Sequence, residues 1–196
     1  MVFYYNQVKN MLQNQIQKGK LLLSDTTILS DATFNRTVIL VSDYSDDGAV
    51  GFILNKPIAA TLNELISDIN ADFTVYNGGP VEQTNLYFVH IIPDLIPDSI
   101  EIADGLFWGG NFEITKNLIN QNQIKKDDIR FFLGYCGWSF NQLEQEIEKK
   151  SWILIDNNEK TALFKINSAT FWKNKITDLG GDYPLWSNAP ENPILN

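Results

Sequence analysis

Cys136 is the one thiol in the chain and His90 the one imidazole. A thiolate nucleophile with a histidine base could be assembled from these two residues and from no other pair. Cys136 sits in Gly134-Tyr135-Cys136-Gly137-Trp138, after the apolar run Ile129 to Tyr135 and before a segment of helical character. That is the strand–turn–helix setting of a nucleophile elbow, yet G-x-C-x-W lacks the second glycine of G-x-S-x-G. A small buried thiol at a tight corner is the default for such a residue. His90 closes the run LYFVH, where a satisfied core or rim histidine is expected. One His and one Cys, with no C-x-x-C or H-x-x-x-H spacing, leave a metal site without a ligand set. No catalytic residue, no metal ligand and no cofactor is assigned.

Other patterns reduce to local structure. Asp43 to Gly48 imitates the start of an EF-hand loop, but position 12 is Leu54 in place of the bidentate Glu, and a hairpin turn is expected. Gly78-Gly79-Pro80-Val81 and Gly109-Gly110-Asn111 match neither a Walker loop nor G-x-G-x-x-G. Gly109-Gly110 precedes a helix whose N-terminus could hold an anion, although a positive-φ corner is the commoner meaning. Asn55-Lys56-Pro57 ends an apolar strand and reads as a ligand-contacting edge or a turn. Glu144, Glu146 and Glu148, with Lys149 and Lys150, read as a solvated helix face.

The elements that must position these residues follow from periodicity. Tyr4, Val8, Met11, Leu12 and Ile16 have near-helical spacing, with Gly19 as a stop. Leu21 to Leu23, Val38 to Val41 and Val50 to Leu54 are short runs rich in branched apolar residues, hence strands, and the last two form an antiparallel pair around SDYSDDGA. Pro57 is expected to end that pair. Thr61 and Glu64 make a capping box for a helix carrying Leu62, Leu65, Ile66 and Ile69. Strands follow at Val75 to Asn77, Leu86 to Ile92, Ile100 to Ile102 and Leu106 to Trp108, then a helix from Phe112 to Gln121 capped by Asn111. Ile129 to Tyr135 is apolar throughout, as in a strand covered on both faces. Ser139 and Gln142 have capping-box spacing before a helix with Leu143 and Ile147 on one side. A strand at Trp152 to Ile155, a helix from Ser168 to Leu179 stopped by Gly180-Gly181, and a proline-rich loop complete the chain. Strands and helices mix without strict alternation, which favours α+β over a doubly wound sheet.

At 196 residues the chain is read as one domain able to bury roughly 70% of its unfolded surface without a disulfide or metal staple. Five Trp, seven Tyr and twelve Phe supply a core. A single cysteine suits a reducing compartment, no basic-then-apolar leader opens the chain, and no apolar run nears the ~20 residues of a membrane span. The expectation is a cytoplasmic protein with no membrane contact. Net charge is −9, and the nearest thing to a basic cluster, Lys125-Lys126, runs into Asp127-Asp128. Direct nucleic-acid binding is disfavoured on that balance.

In order along the chain, several blocks resemble the YqgE/AlgH family of bacterial proteins. GKLLLSD and TFNRTVILVSDYSDDGAVGFILNKP are similar to its opening strand, its F-x-R-S/T-V block and its G-A-x-G-x-x-L-N-R/K-P block. VYNGGPV resembles its G-G-P-V signature. LYFVH, GLFWGGN, RFFLGYCGWSFNQLEQEIEKKSW and the closing NPILN follow in family order. The resemblance implies an α+β single domain, with a mixed sheet that includes a small barrel-like part surrounded by helices. It also implies no established activity, and one branch is labelled a transcriptional regulator. The chain departs from the pattern at Cys136, where the family has a small residue such as Ala, and at Asn111, where Asp is common. It departs again at Ser139-Phe140-Asn141, in place of a Gly/Pro-rich turn. Residues 1–18 read as a helical extension and 19–196 as the family domain.

The resulting expectation is a non-enzymatic protein, monomer or homodimer, acting through a protein or small-molecule partner. Its contact surface is expected to join Asn55, Lys56 and Pro57 to Gly78, Gly79 and Pro80 and to Tyr135, Gly137 and Trp138. A regulator touching DNA and a Cys136–His90 hydrolase are the alternatives.

Overall fold

Ten strands form one mixed sheet in which β9 (Ile129–Ser139) is central. The computed structural model describes residues 15–188. Most of the helix expected over residues 4 to 18, and most of the proline-rich tail, lie outside the described residues. The strands are β1 (Leu21–Ser24), β2 (Val38–Ser45), β3 (Gly48–Ile53), β4 (Pro57–Thr61), β5 (Thr74–Asn77), β6 (Val81–His90), β7 (Ile100–Ala103), β8 (Leu106–Trp108), β9 and β10 (Trp152–Ile155). Their order is β10-β1-β2-β3-β9-β6-β8-β7, with β4 attached to β5 and β5 to β9. Every pairing is antiparallel except β5 with β9. This is a mixed α/β domain. Among the described residues no pairing joins β10 to β7, so the sheet stays open and does not close into the barrel-like part that the resemblance implies.

Alternation along the strands explains why the apolar runs are continuous. Leu21, Leu23, Val38, Leu40, Phe52 and Phe132 enter a core beneath helix α4 (Ser168–Asp178), which contributes Phe171, Trp172 and Ile176. Leu22, Ile39, Val41 and Ile53 point the other way, into a core with Cys136, Trp138, Trp152, Ile16 and Leu143 of helix α3 (Gln142–Glu148). Ile129 and Phe131 reach a third cluster with Leu62 of helix α1 (Leu62–Leu65) and Ile119 of helix α2 (Phe112–Asn120). A short helix, α5 (Tyr183–Ser187), packs on α4.

Strand β9 has β5 on one edge and β6 on the other, since both pair with residues 131–133. The chain between β5 and β6 therefore crosses over β9, and it does so at Gly78-Gly79. The Gly78 N–H donates to Leu133 O at 2.8 Å. A Cβ on Gly78 would lie 2.1 Å from Gly134 O, and one on Gly79 would lie 2.2 Å from the Tyr135 carbonyl carbon. Gly134, at φ +71°, accommodates the crossing from below.

Several expectations are corrected. Cys136 is not at a corner, because β9 runs through it to Ser139 and pairs with β3 from Cys136 onward. Pro57 opens β4 and does not end β3, which stops at Ile53; proline is tolerated at the first position of a strand. The Thr61–Glu64 capping box is present, but its helix is only four residues long. Before α3, Gln142 accepts from the Ser139 N–H, yet the N-cap is Asn141 in the left-handed conformation. The expected tail loop includes helix α5, which carries Pro184 in its first turn, where a missing N–H costs nothing.

The crossing predicts that Gly79→Ala costs roughly 3 kcal/mol or more, because the methyl group meets backbone that cannot step aside. Gly109, at φ +67° with nothing within 4 Å of a Cβ, has only the conformational penalty, about 1 kcal/mol. Urea unfolding of the two alanine variants measures this; equal losses would contradict the steric account.

Candidate functional site

The sheet brings the three segments of the expected contact surface together. Lys56 O accepts from Asn77 N at 2.9 Å, Gly78 O accepts from Ile53 N at 2.9 Å, and Gly79 lies against Tyr135 and Cys136. Their roles differ from the expectation. Asn55 is a structural clamp, its Oδ1 accepting from Val38 N at 2.9 Å and its Nδ2 donating to Arg36 O at 2.9 Å. Gly78 and Gly79 are buried, whereas Pro57, Pro80 and Gly137 are exposed and Tyr135 is half-buried. Trp138 is only 7% exposed, its indole N–H donating to Glu146 Oε2 at 2.8 Å, so it belongs to the core more than to a contact surface.

Two clefts flank this neighbourhood. The larger, about 780 Å³, lies between the loop preceding β2, the Asn55–Lys56 segment, the start of α4 and the end of α5. Asn35, Arg36, Asn55, Lys56, Ser168 and Lys173 supply its polar lining, with Trp172 at its wall. Lys56 Nζ donates to Thr33 O at 2.6 Å and Lys173 Nζ donates to Asn188 Oδ1 at 2.8 Å. Burial pushes the Lys56 ammonium below its ordinary pKa, with Asp31 and Cys136 pulling it back up. The Arg36 guanidinium stands 5.5 Å from the Trp172 ring centroid. The smaller cleft, about 480 Å³, is lined by Phe34, Cys136, Trp138, Trp152, Glu146 and Lys149 among others.

Glu144 and Glu146 correct the reading of α3 as a solvated charged face. Glu144 is buried and accepts from Tyr44 OH at 2.7 Å, which lifts the phenol's pKa together with burial, the larger cause. Glu146 Oε2 accepts from both Trp138 and Trp152 indole N–H groups, the second at 2.7 Å. Charge alone gave no hint of this; two tryptophans near a carboxylate in sequence were the only available signal.

The Cys136–His90 pair is not assembled. His90 lies opposite Ile129 on β9, and Cys136 is seven residues further along the same strand, roughly 20 Å at ~3.3 Å per residue. Cys136 is 1% exposed and its thiol donates to Gly78 O at 3.5 Å. Burial raises its pKa well above the ordinary thiol value, Glu146 adds to this and Lys56 opposes it. That is the opposite of an activated nucleophile. His90 is fully buried, its Nδ1 accepting from Ile92 N at 3.2 Å, which leaves Nε2–H to donate to Gly109 O at 3.2 Å. Burial lowers its pKa to about 4. Asn111 is occupied in capping α2, accepting from Ile114 N at 3.0 Å. Among the described residues no three His, Cys, Asp or Glu side chains gather to hold a metal ion, and no helix is long and apolar enough to cross a membrane.

This open mixed sheet, built around one long strand, superposes on solved structures. The solution structure of AlgH from Pseudomonas aeruginosa matches with a TM-score of 0.68 at 21% identity, covering 91% of this chain and 94% of that one. A crystal structure of a Corynebacterium diphtheriae protein matches with a TM-score of 0.69 at 19% identity, covering 90% and 94%. In sequence, a UPF0301 protein of Cytophaga hutchinsonii is 42% identical over 184 residues, 92% of this chain and all of the relative. A UPF0301 protein of Chlorobaculum parvum is 40% identical over 183 residues, 92% and 96% of the two chains. The family model described as AlgH-like matches residues 21–184. The chain belongs to the AlgH-like family.

Two measurements check the site chemistry. Cys136 should react with iodoacetamide at least ~100-fold more slowly in the native protein than in urea, since access requires opening of the strand; comparable rates would place the thiol at the surface. The second concerns His90. Its folded pKa of about 4 lies below the unfolded value of 6.5, so the unfolded chain binds the proton first as pH falls. The stabilisation from a neutral imidazole is complete above about pH 6.5 and is lost between 6.5 and 4, by roughly 3 kcal/mol at most. Relative to wild type, His90→Gln should flatten the pH dependence of the urea midpoint in that window; parallel profiles would show that His90 titrates normally.

Proposed function

We propose that the protein binds a small molecule in the larger cleft and performs no covalent chemistry on it. The observation that carries this reading is a concavity of about 780 Å³ whose polar side chains converge from separate parts of the chain. That volume falls within the ~300–1,000 Å³ of ordinary ligand pockets. The buried, separated Cys136 and His90 support binding over hydrolysis. Asn55 and Lys56, two residues of the expected contact surface, line this cleft, and the start of α4 and the end of α5 complete it.

The reading as a direct DNA-binding regulator is weaker, because a net charge of −9 opposes a polyanionic duplex. Lys126, part of the nearest basic run, is paired with Asp72 at 2.8 Å.

Ala169, exposed at the start of α4 and part of the cleft wall, allows a test that leaves the polar groups intact. Screening mixtures of central metabolites by amide chemical-shift perturbation should produce saturable shifts at Ser168, Ala169 and Asn188. Ala169→Trp, which fills the cleft, should weaken that binding at least ~10-fold, and the ligand should be recovered unchanged by mass spectrometry. Shifts confined to another face, undiminished binding by Ala169→Trp, or conversion of the ligand would overturn the proposal.

A further inference from the structure

The charge of the larger cleft runs against that of the molecule. The chain has 24 acidic and 15 basic residues, yet Arg36, Lys56 and Lys173 line this cleft and no carboxylate does among the described residues. Several lysines elsewhere are ion-paired: Lys20 with Asp156 at 3.1 Å, Lys116 with Glu113 at 2.9 Å, Lys126 with Asp72 at 2.8 Å and Lys175 with Glu159 at 2.5 Å. The two cleft lysines donate to neutral oxygens, the Thr33 carbonyl and the Asn188 side-chain amide, and Asp31, whose charge acts on Lys56, is not part of the cleft lining. An ammonium has three donors, so each keeps capacity for a further acceptor. Ser168 and Ala169 add the first turn of an eleven-residue helix, whose positive dipole end meets the cleft. Ser168 also brings a hydroxyl to the cleft lining.

We propose that the ligand is a small organic anion, a compound carrying carboxylate or phosphate groups, and that Lys56 and Lys173 hold its acid oxygens. The proposal rests on the small-molecule reading of the cleft and names the ligand class. Lys56 is half-buried, and burial disfavours its charged form. An anion in contact with it restores the charge balance that water supplies to the exposed lysines. Arg36, held against the Trp172 face, adds a guanidinium to the cleft lining. The concavity suits a compound of metabolite size, whereas three cations within a net-acidic surface are poorly matched to an extended polyanion.

Citrate and pyrophosphate serve as probes for the carboxylate and phosphate classes, with ribose as a neutral control and a short DNA duplex as the polyanion. Titration calorimetry at fixed ionic strength should give saturable binding of citrate or pyrophosphate, weakening as salt is raised. Lys173→Gln, on an exposed helix face, should weaken it at least ~10-fold without altering the fold, and Lys173→Arg should restore most of the loss. Lys56→Met, which keeps the buried stem, should have an effect of similar size. Saturation of the Ser168, Ala169 and Asn188 amide shifts by ribose but by neither anion would overturn the anion class and leave the small-molecule reading standing. Failure of all four compounds and of the metabolite screen would remove both. Binding that ignores Lys173→Gln and Lys56→Met, or tighter binding of the duplex than of either anion, would also overturn the proposal.

Discussion

The passage of the chain over its own central strand is the constraint on which the rest of this structure depends. β5 and β6 lie on opposite edges of β9, and two residues, Gly78 and Gly79, carry the backbone from one to the other at a separation that excludes any side chain. Gly134 beneath them adopts a positive φ that an L-residue rarely takes. Once the crossing is made, β9 has hydrogen-bonding partners along both edges, and its two faces are committed to separate cores. Substitution anywhere in this contact would displace the strand that every large hydrophobic cluster shares.

The same crossing decides what the chain's reactive groups can do. Gly79 lies against the backbone of Tyr135 and Cys136, and Gly78 O accepts the hydrogen bond of the buried thiol. The register of β6 on β9 places His90 at the opposite end of the strand. The resulting side chains are stable neutral species in the core. Buried Arg130 is well satisfied: it donates to Leu54 O at 2.7 Å and to Phe164 O at 2.9 Å while its guanidinium stacks 4.4 Å from the Tyr76 centroid. Glu146 does the same for two indoles. Such groups hold elements in register because leaving any partner unmade costs more than the bond itself contributes.

Where the sheet and α4 diverge, the protein keeps an open polar concavity. Its cations come from the loop before β2, from the segment after β3 and from the second turn of α4. The net acidity of the whole chain makes this patch electrostatically distinct, which is the basis of the proposed preference for small anions over polyanions. In the proposed reading, binding and stability divide between neighbouring residues: Asn55 closes the backbone of β2, and Lys56 lines the cleft.

Local sequence determined the strand and helix inventory well, because apolar periodicity and capping spacing act over a few residues. The β2–β3 hairpin, the α2 cap at Asn111 and the strand at Trp152 were legible in this way. The close approach of Gly78-Gly79 to β9 was not legible, because the sequence placed the pair only on an expected contact surface. Tertiary structure alone decided that Cys136 lies within a strand and that Glu144 and Glu146 turn inward. It alone decided that Lys173 joins Lys56 across the cleft. The physical reason is that a side chain's chemistry depends on which distant segment stands opposite it. That pairing is set by register and by crossings over the sheet, and no short window of sequence encodes them.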